Sequence, residues 1–152
     1  MTGTAKQIAA LPVHWEKNGK LRVLMVTSRD SGRWVMPKGW LMDGKKPWRA
    51  AEIEALEEAG ALGFISSVPV GIYHYQKGLG RGRKVRCRVT VYPMIVERLK
   101  RRWKERDERK RHWFSIRKAA NLVDEDDLAA LLRSIADAPE AHPAFADLRK
   151  AS

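Results

Sequence analysis

The stretch from Pro47 to Gly60, PWRAAEIEALEEAG, constrains this chain more than any other. Proline suits a first helical turn, where its missing N–H is not needed. Ala, Glu and Leu dominate the run to Ala59, and Gly60 supplies a stop. A helix is therefore expected here. Glu54, Glu57 and Glu58 stand at i, i+3 and i+4, so the three carboxylates project from one face, with Ala50 and Ala51 on the same side one turn earlier. Like charges at these offsets repel, which gives a fold no reason of its own to place them together. On spacing alone, a solvated acidic face is the simpler account. The alternative is a hard divalent cation, Mg²⁺ or Mn²⁺, which accepts carboxylate oxygens, keeps several waters and bridges to phosphate.

The sequence around this helix is β-rich. Gln7 to Trp15 and Leu21 to Thr27 are apolar-rich and separated by Glu16-Lys17-Asn18-Gly19, which predicts a hairpin. Trp34-Val35-Met36 predicts a third strand, closed by Pro37 and followed by a glycine-punctuated loop containing Lys38, Gly39 and Trp40. Beyond the helix, Val68 to Tyr75 and Val85 to Val96 predict a long hairpin joined by a basic loop from Lys77 to Lys84. Arg98 to His112 is a dense charge run, after which Ile116 to Asn121 and Asp124 to Ile135 return to helical patterns. The tail from Pro139 onward has no clear pattern. The order β, helix, β-rich, helix argues for an α/β layered domain, and 152 residues with 44% apolar content suit one domain spanning 1–152.

Charge and cysteine content narrow the function classes. Thirty Lys plus Arg against 18 Asp plus Glu leave a net +12, a surface that attracts polyanions, among them nucleic acid, anionic membrane and phosphate-rich small molecules. The single Cys87 excludes an intrachain disulfide and a thiolate metal cluster within one chain, and its alternating apolar setting reads as core. No apolar run is long enough to cross a bilayer, and MTGTAKQIAALP lacks the uncharged stretch of a secretory signal. The expectation is a cytoplasmic protein with no membrane partner. His14, His74, His112 and His142 are scattered without ligand spacing.

With the loop included, Gly39, Glu54, Ala55, Glu57, Glu58, Gly60 and Ala61 fall in the register of the Nudix box, and the chain resembles that family of metal-dependent pyrophosphohydrolases. The resemblance implies an α-β-α sandwich (α/β, α+β) around a central mixed β-sheet. It also implies water attack on a phosphoanhydride bond, with Mg²⁺ or Mn²⁺ as cofactor. Glu58 and Glu57 would then be principal metal ligands, Glu54 a ligand or the water-orienting base, and the Lys38 carbonyl part of the metal shell. Two positions depart from the family: Lys45 stands where it has Glu, and Ile53 where it has Arg. Losing both halves of a charged brace leaves no stranded charge, which points to a replaced brace with the three glutamates retained.

Trp103 to Phe114 with Ala119-Ala120, and Lys6 to Pro12, are similar to the diphosphoinositol polyphosphate and diadenosine polyphosphate hydrolase branch. Such substrates need cations beyond the metal, and Lys6, Lys38, Lys77, Arg81, Arg83, Arg86 and Arg88 are available. Arg86 and Arg88 share strand parity and are stronger candidates than the loop residues, Lys6 and Lys38 are further ones, and Gly39 permits close backbone approach to phosphate. Trp103 and Trp113 among basic residues open an RNA-binding alternative, countered by the acidic residues in the same run. For Trp113-Phe114, core packing is favoured, and Glu105 or Glu108 is a candidate outer metal ligand. The alternatives to a small-molecule hydrolase are a non-catalytic polyphosphate- or RNA-binding module and an RNA 5′-pyrophosphohydrolase. Oligomeric state is not encoded in any feature of the chain.

Overall fold

The computed structural model describes residues 3–151; Met1 and Thr2, which belong to the stretch read above as lacking a secretory signal, and Ser152, the last residue of the expected domain 1–152, lie outside the described residues. Eight strands form one mixed sheet: β1 (Ala5–Trp15), β2 (Leu21–Thr27), β3 (Trp34–Val35), β4 (Lys38–Trp40), β5 (Ala61–Ile65), β6 (Gly71–Gly80), β7 (Arg83–Leu99) and β8 (Arg111–Ser115). The helices are α1 (Pro47–Ala59), α2 (Ile116–Leu122), α3 (Asp126–Asp137) and α4 (Pro143–Ala151), with a 3₁₀ turn at Pro139–Ala141. None of these helices is long and apolar enough to cross a membrane.

The sheet is organised by two long central strands, β1 and β7, which run parallel with Lys6 opposite Arg88 and Val13 opposite Ile95. Each changes its outer partner part-way along. β1 pairs with β4 over Gln7 to Ala9 and with β2 from Val13, while β7 pairs with β6 up to Val91 and with β5 from Met94. Both internal prolines, Pro12 and Pro93, fall in these gaps. A strand proline removes a ladder donor, and the handover between partners is where no neighbour needs one.

Residues Gln7 to Val13 of β1 are buried on both faces, as expected of a strand covered on each side. Ala9, Leu11, Val13, Val89 and Val91 pack toward Ile116, Leu128, Leu132, Phe145 and Leu148 of α2, α3 and α4. Ile8, Ala10 and Met94 pack on the other face against Ala50, Ala51, Ala55 and Ala59 of α1. Four alanines let α1 lie close to the sheet, and the α-β-α layering implied by the family resemblance follows. Cys87 is buried in this sheet, as its pattern indicated.

Several elements differ from the sequence reading. Lys38 to Trp40 is a strand rather than a loop, because its backbone pairs with β1 and the Ala10 N–H reaches the Pro37 carbonyl at 2.9 Å. The segment Ala61–Ile65, not anticipated at all, forms β5 directly after α1, with a bulge between Leu62 and Gly63. Gly63 has no freedom to vary, since a Cβ there would overlap the Ile95 carbonyl. The expected loop from Lys77 to Lys84 is strand on both sides of a tight turn, in which Arg81 (φ 54°) and Gly82 (φ 72°) are both left-handed. Positive φ at both central residues matches the twist of a hairpin, so pairing continues to the turn. The unpatterned tail forms the 3₁₀ turn and α4, whose Phe145 and Leu148 complete one core layer.

Candidate active site

A cavity of about 330 Å³ opens between α1, β4, the β1 and β6 strands and the loop that precedes β8. Lys38, Gly39, Glu54, Glu58 and Lys77 line it, joined by Gln7, Tyr75, Arg29, Glu105 and Arg109. Gly39 brings β4 against the helix so closely that a Cβ there would overlap the Glu54 carboxylate. On the other side, the Lys38 N–H points to Glu58 Oε1 at 3.4 Å and Arg109 approaches Glu58 Oε2 at 3.8 Å. Arg109 is itself held by Glu105 Oε1 at 2.7 Å and the Thr27 carbonyl at 3.0 Å. The floor is polar: the Tyr75 hydroxyl donates to Gln7 Oε1 at 2.5 Å, and the Lys38 ammonium sits 5.0 Å from the Tyr75 ring centroid.

The remaining candidates are distributed around this cavity. Glu57 turns to Lys104 at 3.3 Å, and its carbonyl accepts from the Glu105 N–H. Lys6, Arg86 and Arg88 lie on the opposite strand parity from Gln7 and Cys87, and they line a neighbouring cleft of about 560 Å³ together with Thr4, Ile72 and His74. His74 is engaged by Asp127 at 3.0 Å. Trp40 stands at the cavity mouth, 46% exposed, with the Lys77 ammonium 5.9 Å from its ring. Lys45 is exposed, Ile53 is half-buried, and on the same stretch Arg49 pairs with Glu52. The cation beside Glu58 is Arg109, from the charge run.

That run, residues 101–110, was legible as charged but not as a wall of the site. It folds back over the last turn of α1: Trp103 Nε1 donates to the Glu58 carbonyl at 3.0 Å, and Arg111 donates to the Ala59 carbonyl at 2.9 Å. These bonds satisfy carbonyls that a helix end leaves open and set cationic charge at the negative end of its dipole. Glu105, 9% exposed, is thereby brought to the cavity, whereas Glu108 pairs outside with Arg29 at 3.1 Å. The only sequence signal for this distinction was the dense alternation of charge.

Electrostatically, the carboxylates are short of positive charge. Burial, reinforced by Glu57 and Glu105, pushes the Glu54 carboxyl from 4.5 up to about 7. Burial also pushes Glu58 up to about 8, although Arg109 and Lys38 pull the other way. Glu58 is only 5% exposed, and the long contacts from Arg109 and Lys38 do not replace the water it has lost. Among the described residues no three His, Cys, Asp or Glu side chains already converge on one point that could hold an ion. Glu54 and Glu58 nevertheless supply hard oxygen donors in a place that destabilises their charge, which is the donor chemistry a divalent cation satisfies. Burial likewise pulls the Lys38 ammonium below its usual value.

A pH dependence follows. Both carboxyls hold protons more tightly in the folded chain than in the unfolded one, so their contribution to stability is complete below pH 4.5 and is lost as pH rises through about 7 and about 8. In chelator, the melting temperature is expected to fall across that window, and the Glu54→Gln/Glu58→Gln double variant to flatten the slope. Calorimetric scans at stepped pH check it; an unchanged slope in the variant would assign the effect to other groups.

Comparison with known proteins gives the family and the fold. The NUDIX domain model matches residues 6–135. Nudix hydrolase 13, mitochondrial, of Arabidopsis thaliana is 31% identical over 112 residues, covering 68% of this chain and 54% of the relative, so the chain spans about half the length of that protein. Human diphosphoinositol polyphosphate phosphohydrolase 3-alpha is 28% identical over 123 residues, covering 80% of this chain and 70% of the relative. Among solved structures, the C. elegans Ap4A hydrolase superposes with a TM-score of 0.56 at 19% identity, covering 86% of this chain and 95% of that one, a likeness of fold.

Proposed function

Because this chain belongs to the Nudix family, we propose that it is a metal-dependent pyrophosphohydrolase that cleaves a phosphoanhydride bond in a polyphosphate substrate, a dinucleoside polyphosphate or a diphosphoinositol polyphosphate. The observation that carries the reading is the pair of half-buried Glu54 and buried Glu58, pressed between Gly39 and Arg109 at one end of a cavity that also holds Lys38 and Lys77. The relatives named for diphosphoinositol polyphosphates and the neighbour named for Ap4A support this substrate class.

In this reading Glu58 would hold the ion, Mg²⁺ with Mn²⁺ as a substitute, with Glu54 and Glu57, the latter paired to Lys104, as the further carboxylates of the site. The Lys38 backbone and Glu105 flank the same space. Once bound, the ion would supply charge neutralisation at the phosphate oxygens and activation of the attacking water. Lys77 and the Lys38 ammonium orient the polyphosphate by charge-assisted hydrogen bonds, and Glu54 is either a ligand of the ion or the base that positions the water and takes its proton. Tyr75 and Gln7, fixed by their mutual hydrogen bond, hold the floor against collapse. Trp40 offers a face on which a base or ring can lie.

Lys6, Arg86 and Arg88 extend the cationic surface past the cavity and favour a second reading, hydrolysis at RNA 5′-triphosphate ends. A product assay with a dinucleoside polyphosphate, a diphosphoinositol polyphosphate and 5′-triphosphate RNA, each with Mg²⁺ or Mn²⁺, separates the readings. Turnover of the first or second is expected. Turnover of the RNA alone would move the assignment to RNA ends, and salt-sensitive binding with no product from any of the three would make the chain a binding module.

A further inference from the structure

Behind the last turn of α1, outside the candidate active site, lies an open basin of about 620 Å³ lined by Arg101, Arg102, Trp103, Arg106 and Arg111, with no carboxylate among its walls. Of the acidic residues of the same loop, Glu105 holds Arg109 and Glu108 holds Arg29, while Asp107 is exposed and does not line the basin. Arg111 is explained locally, since it caps the Ala59 carbonyl and stacks 3.8 Å from the centroid of the Trp103 ring. Arg101, Arg102 and Arg106 are not needed for that cap, and among the described residues they form no ion pair. Burial and the neighbouring Arg106 both act against the Arg111 charge, so guanidinium groups gathered here repel one another in the absence of an anion.

We propose that this basin is a second binding site, for a compact phosphate-dense anion of the oligophosphate class, whose occupancy is sensed at the end of α1 through Trp103 and Arg111. Arginine forks match phosphate oxygens in geometry and in charge, and several converging forks select a dense anion over a single carboxylate. The Trp103 ring is already covered by Arg111, which leaves phosphate rather than a stacked base as the group recognised. Trp103 Nε1 donates to the Glu58 carbonyl, and a Cβ at Gly60 would press on both Trp103 and Arg111, so the basin and the helix end move as one unit.

The site stands independently of the catalytic assignment, because it can be probed with the metal removed. The full chain in chelator is titrated with inorganic tripolyphosphate, followed by calorimetry and by the assigned indole N–H resonance of Trp103. Saturable binding that shifts this resonance is expected, weakened at least about tenfold in Arg102→Ala/Arg106→Ala and retained in Arg86→Ala/Arg88→Ala. Equal weakening in both double variants would make the binding a diffuse effect of surface charge and overturn the proposal. So would a Trp103 resonance that does not respond, or saturable binding of single-stranded RNA without binding of tripolyphosphate. Both arginines of the first pair are exposed, so loss of the fold is not expected; unchanged melting temperature confirms that the comparison is sound.

Discussion

Glu58→Gln is expected to lower turnover by about 10³-fold while leaving the metal-free protein at least as stable as the wild type. The substitution keeps the shape and an acceptor for the Lys38 N–H, and Arg109 retains Glu105 and the Thr27 carbonyl. It removes a charge that the site already holds with difficulty, since burial pushes this carboxyl up to about 8. The variant should therefore separate function from folding: turnover collapses, the melting temperature in chelator does not fall, and stabilisation by added Mg²⁺ shrinks. Steady-state kinetics on the substrate identified by the product assay, with thermal scans in chelator and in Mg²⁺, test all three. Turnover within tenfold of wild type would remove Glu58 from the chemistry.

Gly39→Ala should be the second most damaging change to activity, at about 10²-fold in kcat, despite adding one methyl group. Its backbone is not left-handed, so alanine is tolerated conformationally. The difficulty is the Glu54 carboxylate, which occupies the space the methyl needs. A flexible side chain yields more readily than a strand paired to β1, so Glu54 is displaced and the fold survives. If the effect passes through Glu54, adding Gly39→Ala to Glu54→Gln costs little further activity. Additive losses in that double-mutant cycle would instead place the role of Gly39 in its backbone approach to phosphate.

How much of this was readable in advance differs by element. Helix α1 was complete in the sequence, from Pro47 to the left-handed Gly60, because propensity, the first-turn proline and the glycine stop agree locally. The β1–β2 hairpin and the two later helices were also legible, apart from shifts of a residue or two at their ends. β4 and β5 were not, because three to five residues have no periodicity of their own and become strands only when β1 and β7 offer unpaired edges. For the site, the spacing of Glu54, Glu57 and Glu58 was plain. Their unequal environments were not: Glu58 is buried, Glu54 lies against Gly39, and Glu57 turns to Lys104.

The replaced brace shows the same division. Lys45 and Ile53 announced that a charge pair usual in the family is absent here, but nothing in their neighbourhood indicated that Arg109, far along the chain from both, would stand beside Glu58. By itself, the sequence determined helix α1, the three carboxylates on it and the family to which the chain belongs, because those depend on offsets of three and four residues along one element. Tertiary structure alone decided which carboxylates lose water, which cations face them, and that Lys6, Arg86 and Arg88 look onto a different cleft from Lys38 and Lys77. Desolvation and Coulomb energy depend on distances in space, and here those distances are set by strand pairing and by a charged loop folded back over the end of α1.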